Sequence, residues 1–382
     1  MRRGIRLRPS HSSRGGTNTT STTARAHQPQ NVTGSGVGRS GARVVIIGSF
    51  PRISSLSWCR NPHRGQGIST HSRSHTGPAV RLGNVAEHDA PNQPAGPNGR
   101  PLAERVATRI FYPTSRPREK ALREAVSGTV ILVTGASHGI GKAAARKLAA
   151  AGATVLLVAR SVEDLDEVAA EITAAGGVAH VYQSDITEFD AVEELGRRVL
   201  AEHGRVDVVI NNAGRSIRRP IDESYDRFHD FTRTIDVNYL GPVRLLLTLL
   251  PGMRERGRGH IVNISTWGVR MPPAPRWSAY GASKGAFDIW LRTVATEIAA
   301  DGVTTTSIYM PLVHTRMSAP TDFSGIPGLT ADEAANLVCH AVVARPIEIS
   351  PWWTGAVQAW TDLRRGAAQR FMERSAGRRS GE

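Results

Sequence analysis

A glycine-rich turn set between an apolar run and a helix-periodic stretch constrains this chain more than any other feature. Val130-Ile-Leu-Val133 is a short β-branched run, as expected of a strand buried on both faces. Thr134-Gly135-Ala-Ser-His-Gly139-Ile-Gly141 follows, and Ile140, Ala144 and Leu148 then fall on one stripe of a helix. Glycines let the backbone turn tightly and approach a ligand closely, and the N-terminus of the helix offers free N–H groups to an anion.

The same alternation continues downstream. Strands are expected at 154–158, 178–182, 206–210, 260–264 and 303–309. Between them lie amphipathic helices marked by Val162, Leu165, Val168 and Ile172, and by Phe189, Val192, Leu195 and Val199, then helices around 225–250 and 279–299. Strands separated by helices of this length imply a parallel sheet with right-handed crossovers. The expected fold is a single α/β domain, a Rossmann-type doubly wound parallel sheet over 128–350. Thr330-Ala-Asp-Glu333 reads as a capping box that opens a further helix.

Charge sets the rest of the chain apart. The formal net charge is +15, yet no acidic residue precedes Glu87 and thirteen arginines stand in residues 1–86, so the remainder is close to neutral. Residues 1–100 are rich in Ser, Thr, Gly, Pro and Arg and lack periodicity, which predicts a disordered basic N-terminal tail. An upstream extension, a targeting segment and a basic arm remain open as its origin. Residues 101–127 read as a transitional helix and linker, and 351–382 as a C-terminal amphipathic segment. The two cysteines, Cys59 and Cys339, make no disulfide framework and suit a cytoplasmic setting.

Thr134-Gly-x-x-x-Gly-Ile-Gly141, Asn211-Asn-Ala-Gly214 after the fourth strand, and Tyr280-Gly-Ala-Ser-Lys284 together resemble the short-chain dehydrogenase/reductase family, over about 128 to 318. The resemblance implies an NAD(P)-dependent oxidoreductase acting on a small-molecule carbonyl or alcohol. It places Gly135, Ser137, Gly139, Ile140 and Gly141 around the cofactor diphosphate and Asp185 at the adenine. Asn212, Ala213 and Gly214 would line the ribose, and Val313 and Thr315 the nicotinamide. Leu312 stands where the family usually has glycine.

The second strand ends in Ala159-Arg160-Ser161, with no carboxylate to repel a 2′-phosphate. Arg160 and Ser161, with His138 across the turn, therefore favour NADP over NAD. Tyr280 and Lys284 are four residues apart and share a helix face, so the ammonium is expected to lower the phenol and prepare it for acid–base work. A substrate-facing hydroxyl comes from Thr266 or Ser265. Asn238 corresponds to the family's asparagine in a proton relay.

Apolar residues at 267–277 and 317–329 imply an apolar substrate wall. Ser265-Thr-Trp-Gly-Val and Met310-Pro-Leu-Val-His-Thr resemble the reductase domains of bacterial long-chain fatty acyl-CoA reductases, a subgroup that shares Leu312. That resemblance implies a long-chain aldehyde or acyl thioester, with 3-oxoacyl, steroid or polyketide ketones as alternatives and a non-catalytic NADP-binding sensor as an alternative of another class. A homo-oligomer, dimer or tetramer, and no specific nucleic acid complete the expectation. Trp352, Trp353, Trp360 and Phe371 among arginines make the C-terminal segment a candidate pocket closure, subunit contact or peripheral membrane contact.

Overall fold

The computed structural model describes residues 102–377, apart from 322, 324 and 325. The expected tail over 1–100, with Cys59, lies outside the described residues. Helices α1 (Leu102–Phe111) and α2 (Glu119–Val126) precede β1 (Val130–Thr134) and α3 (Gly139–Ala150). Next come β2 (Thr154–Ala159), α4 (Val162–Ala174), β3 (Val178–Gln183), α5 (Phe189–His203) and β4 (Val208–Asn211). A π-helical turn at Asp236–Leu240 joins α6 (Phe228–Ile235) to α7 (Gly241–Glu255). Then follow β5 (Gly259–Thr266), α8 (Ser278–Ile298), β6 (Val303–Met310), β7 (Val313–His314) and β8 (Leu329–Thr330). The described chain closes with α9 (Ala331–Ala344), β9 (Glu348–Ile349), α10 (Thr354–Leu363) and α11 (Arg365–Gly377).

The main sheet runs β3-β2-β1-β4-β5-β6-β9, and every pairing is parallel. Alternate strand residues serve opposite faces, which the strand period requires. Ile131, Val133, Leu157, Ile210 and Ile264 pack with α2, α3, α4 and α9 on one side. Leu132, Leu156, Val158, Val209 and Ile261 pack with α5, α7 and α8 on the other. Strand order reverses between β1 and β4, so the crevice at their carboxyl ends is where such sheets bind ligands.

Several expected boundaries move for identifiable reasons. The packed body begins ahead of 128, because Tyr112, Leu122 and Val126 join the core beside α3 and α9. β4 starts at Val208 rather than Val206, since the Asp207 carboxylate takes the Val130 N–H at 2.9 Å. The helix expected around 225–250 begins at Phe228 and is interrupted by the π-helical turn. β9 is two residues long, too short for any periodic signal. The capping box is formed: Thr330 Oγ1 accepts from the Glu333 N–H at 3.1 Å and Glu333 Oε2 from the Thr330 N–H at 2.8 Å.

Candidate active site

The glycine turn is shaped by contacts no side chain could share. Gly135 and Gly139 have φ of +66° and +55°, the left-handed region. A Cβ on Gly141 would lie 2.2 Å from the Gly135 carbonyl oxygen and 2.6 Å from Asn212 Nδ2. Asn212 holds the turn by donating from Nδ2 to the Thr134 and Gly135 carbonyls at 2.9 and 3.0 Å. Thr134 Oγ1 accepts from the Asn212 and Ala213 N–H groups, each at 3.0 Å. Ser137 and His138 then lead into α3, and His138 makes no side-chain cap, so α3 keeps its N-terminal N–H groups for an anion. This cradle, which a Cβ would fill, fits a dinucleotide diphosphate. Thr315 faces it, its Cγ2 3.3 Å from where a Cβ on Gly139 would stand.

At the outer edge of the crevice, the Arg160 side chain is 75% exposed and its closest carboxylate, Asp185, is 4.0 Å away. Asp185 accepts from the Thr187 N–H and Oγ1 at 3.0 and 2.8 Å. Ser161 caps α4 by accepting from the Asp164 N–H at 3.2 Å. Asp164 in turn lies 3.7 Å from His138 Nδ1, so His138, Arg160, Ser161 and Asp185 converge on one edge.

The second cluster sits where β5 meets α8. Tyr280 is half-buried, and Thr266, whose hydroxyl accepts from the Gly268 N–H at 3.3 Å, is the side chain whose hydroxyl pulls the phenol downward. Ser265 Oγ is buried and finds no hydrogen-bond partner, so of the two candidate hydroxyls only Thr266 acts on the phenol. Lys284 is buried and donates from Nζ to the Ile264 carbonyl at 3.0 Å. The expected lowering of the phenol is not found. Burial pushes Tyr280 up to about 12, against the opposing pull of the Thr266 hydroxyl. Burial also brings Lys284 down to about 8. Loss of water penalises both charged forms, and the ammonium is engaged with a carbonyl on β5 rather than with the phenol.

Asn238 lies inside the π-helical turn, an irregularity that recurs at functional sites. Its Oδ1 accepts from the Arg215 N–H at 2.9 Å, and its Nδ2 donates to the Arg215 carbonyl and to Ser283 Oγ, both at 2.9 Å. Ser283 Oγ donates to the Tyr280 carbonyl at 2.9 Å. Gly214 is wedged between them: a Cβ there would lie 2.9 Å from Asn238 Oδ1 and 3.4 Å from Lys284 Nζ.

An aromatic cap covers the far end. Trp267 meets Trp353 edge-to-face at 5.1 Å and Tyr112 at 6.4 Å between ring centroids. The Tyr112 hydroxyl donates to the Pro327 carbonyl at 3.0 Å. The C-terminal segment thus begins by closing over the 267–277 loop. The Leu312 carbonyl accepts from the Leu329 N–H at 2.8 Å, beside the β7–β8 pair that holds Val313. Sequence reasoning passed over Thr134 and Ser283, although both stand inside the motifs it quoted. Trp353 was legible as part of a candidate pocket closure, whereas Tyr112 carried no signal, since its role depends on a contact between the two ends of the described chain.

Comparison with known proteins agrees with this geometry. A sequence profile described as short chain dehydrogenase matches residues 129–323. A fatty acyl-CoA reductase of Acinetobacter baylyi is 50% identical over 233 residues, covering 61% of this chain and 79% of the relative. A fatty acyl-CoA reductase of Mycobacterium tuberculosis is 43% identical over 264 residues, 68% of this chain and 90% of the relative. A crystal structure of a metagenomic short-chain oxidoreductase in complex with NADP superposes with a TM-score of 0.51 at 35% identity, covering 57% of this chain and 92% of that one. On the strength of these matches the chain belongs to the short-chain dehydrogenase/reductase family of oxidoreductases.

Proposed function

We propose that this enzyme reduces an apolar carbonyl compound, a long-chain aldehyde or acyl thioester, with NADPH. The observation that carries the reading is the buried Lys284, held on the Ile264 carbonyl one helical turn along α8 from Tyr280, with Thr266 at the end of β5 beside the phenol. When bound, the nicotinamide supplies the hydride. Tyr280 gives its phenolic proton to the carbonyl oxygen as negative charge develops there, and Thr266 donates a hydrogen bond to the same oxygen. Lys284 contributes positive charge to the phenol's surroundings, and Asn238 is the relay group on the Gly214 side. Ser265 remains the alternative hydroxyl.

In the same reading Gly135, Ser137, Gly139, Ile140 and Gly141 receive the diphosphate, and Asn212, Ala213 and Gly214 the ribose. Asp185 receives the adenine, and Val313 and Thr315 the nicotinamide. NADP rather than NAD follows from the exposed Arg160, with His138 and Ser161 beside it, at the end of β2. The apolar substrate is supported by the cap of Trp267, Tyr112 and Trp353, and by two relatives named fatty acyl-CoA reductase at 43 and 50% identity. Leu247 on α7 and Ile289 on α8, both exposed, support a homo-oligomer. A cytoplasmic setting rests on cysteine usage.

The test is turnover of NADPH and of NADH by the full chain with long-chain acyl-CoAs, fatty aldehydes, 3-oxoacyl thioesters and steroid ketones. Turnover of the first two with NADPH is expected. Activity confined to ketones overturns the substrate, and binding of NADPH without turnover of any arm makes the chain a sensor.

A further inference from the structure

Helix α1 is built inside out. Thr108 and Glu104 point toward the protein, Thr108 fully buried, while Leu102, Val106 and Ile110, spaced by four, face solvent. Leu102 is 73% exposed and Ile110 56%. Arg105 and Arg109 flank the stripe on the same exposed face. Trp352 continues it: its indole N–H donates to the Ile110 carbonyl at 2.9 Å, which leaves an apolar ring 75% exposed beside the helix. An amphipathic helix normally buries its apolar face in its own core, because exposed apolar surface is unfavourable in water. Here the apolar face is turned outward, so its partner lies outside the domain.

We infer that the outward face of α1, with Trp352, seats this protein on a bilayer surface containing anionic lipid. Apolar residues flanked by arginines match an interface of acyl chains beneath negative headgroups. Charge also argues against the chain's own upstream segment as the occupant. Residues 1–86 carry thirteen arginines and no acid, so they repel the arginines of α1, whereas an anionic bilayer attracts both. The seat adjoins the site: Trp353, next to Trp352, packs on Trp267, and the residue after α1 is Tyr112 of the same cap. A substrate leaving the bilayer there would enter beneath the aromatic cap.

The experiment uses the full chain and vesicles of phosphatidylcholine alone or mixed with phosphatidylglycerol, read by flotation without any turnover. Binding therefore stands or falls apart from the choice of substrate. Binding to the mixed vesicles is expected to survive high salt, which screens exposed charges. A Val106→Glu, Ile110→Glu double variant is expected to lose about tenfold or more of that salt-resistant binding while reducing a water-soluble short aldehyde like the wild type. Brominated acyl chains are expected to quench tryptophan fluorescence, and Trp352→Phe to remove that quenching. Equal flotation of wild type and variant leaves the arginine tail as the whole cause and overturns the proposal. A wild type that floats with neither vesicle overturns it too. So does a double variant whose mass in solution, by light scattering, is smaller than that of the wild type by a subunit or more, which makes the stripe a contact between copies.

Discussion

The Asn238 amide donates to Ser283 Oγ at 2.9 Å, and this bond ties the π-helical turn to the helix that carries Tyr280 and Lys284. Asn238→Ala removes it together with both bonds to Arg215, while Ser283 Oγ keeps its bond to the Tyr280 carbonyl. Each lost hydrogen bond removes about 0.5–1.5 kcal/mol. The melting temperature and kcat of this variant are expected to fall together, with Ser283→Ala giving a milder form of both. A wild-type kcat in Asn238→Ala would show that the tie does not position the site.

Tyr280→Phe is expected to leave NADPH binding nearly intact and to lower turnover by about 100-fold or more, the range of general acid catalysis. Thr266→Val is expected to follow it in kcat, since Thr266 is the hydroxyl that acts on the phenol. Ser265→Ala, at a buried hydroxyl without a partner, is expected to do little. Steady-state kinetics with one accepted substrate separate the three, and a larger loss in Ser265→Ala than in Thr266→Val reverses the assignment.

Lys284 is expected to set a pH limit on turnover. Burial lowers its pKa from 10.5 to about 8, so the charge beside Tyr280 is present below pH 8 and lost above it. Reduction measured as kcat/KM is expected to fall as pH rises through about 8, and Lys284→Arg, which stays charged, to move that fall upward. Stability takes the opposite sign. Between about 8 and 10.5 the unfolded chain holds a proton that the folded chain lacks, so the Lys284 contribution to stability increases with pH over that window. A profile flat to pH 10 in wild type removes Lys284 from the mechanism.

Arg160 decides the cofactor if its exposed guanidinium meets a 2′-phosphate. A charge-assisted contact contributes about 1.5–3 kcal/mol, or roughly 10- to 150-fold. Arg160→Asp is expected to raise KM for NADPH by about that factor and to change KM for NADH little. Titration of both cofactors on both proteins is the check, and a parallel loss for NADH means the residue is only a surface charge.

Removal of residues 1–101 is expected to leave activity unchanged, whereas removal of 1–117 takes away α1 and Tyr112 and with them one wall of the aromatic cap. The longer deletion is expected to lower the melting temperature and to raise KM for long apolar substrates more than for short ones. Equal KM values in the two truncated proteins would show that Tyr112 does not reach the substrate.

The sequence by itself determined the doubly wound sheet, because each strand and helix writes its own period into neighbouring residues. It also determined the glycine turn and the Tyr280–Lys284 pair, because their spacing is local: Gly141 must be glycine against the Gly135 carbonyl, and residues four apart share a helix face. Only the tertiary structure separates Thr266 from Ser265, since both end the same strand, yet Ser265 Oγ is buried without a hydrogen-bond partner and Thr266 is the one that acts on the Tyr280 phenol. It also reversed the expected shift of that phenol, because desolvation depends on everything packed around a group and not on the one cation four residues away. The sequence offered the 267–277 loop and Trp353 as pocket walls, but the part of Tyr112 in that cap and the outward face of α1 were invisible in it. They arise where the two ends of the described chain meet, more than 240 residues apart along it, and no local period records such a meeting.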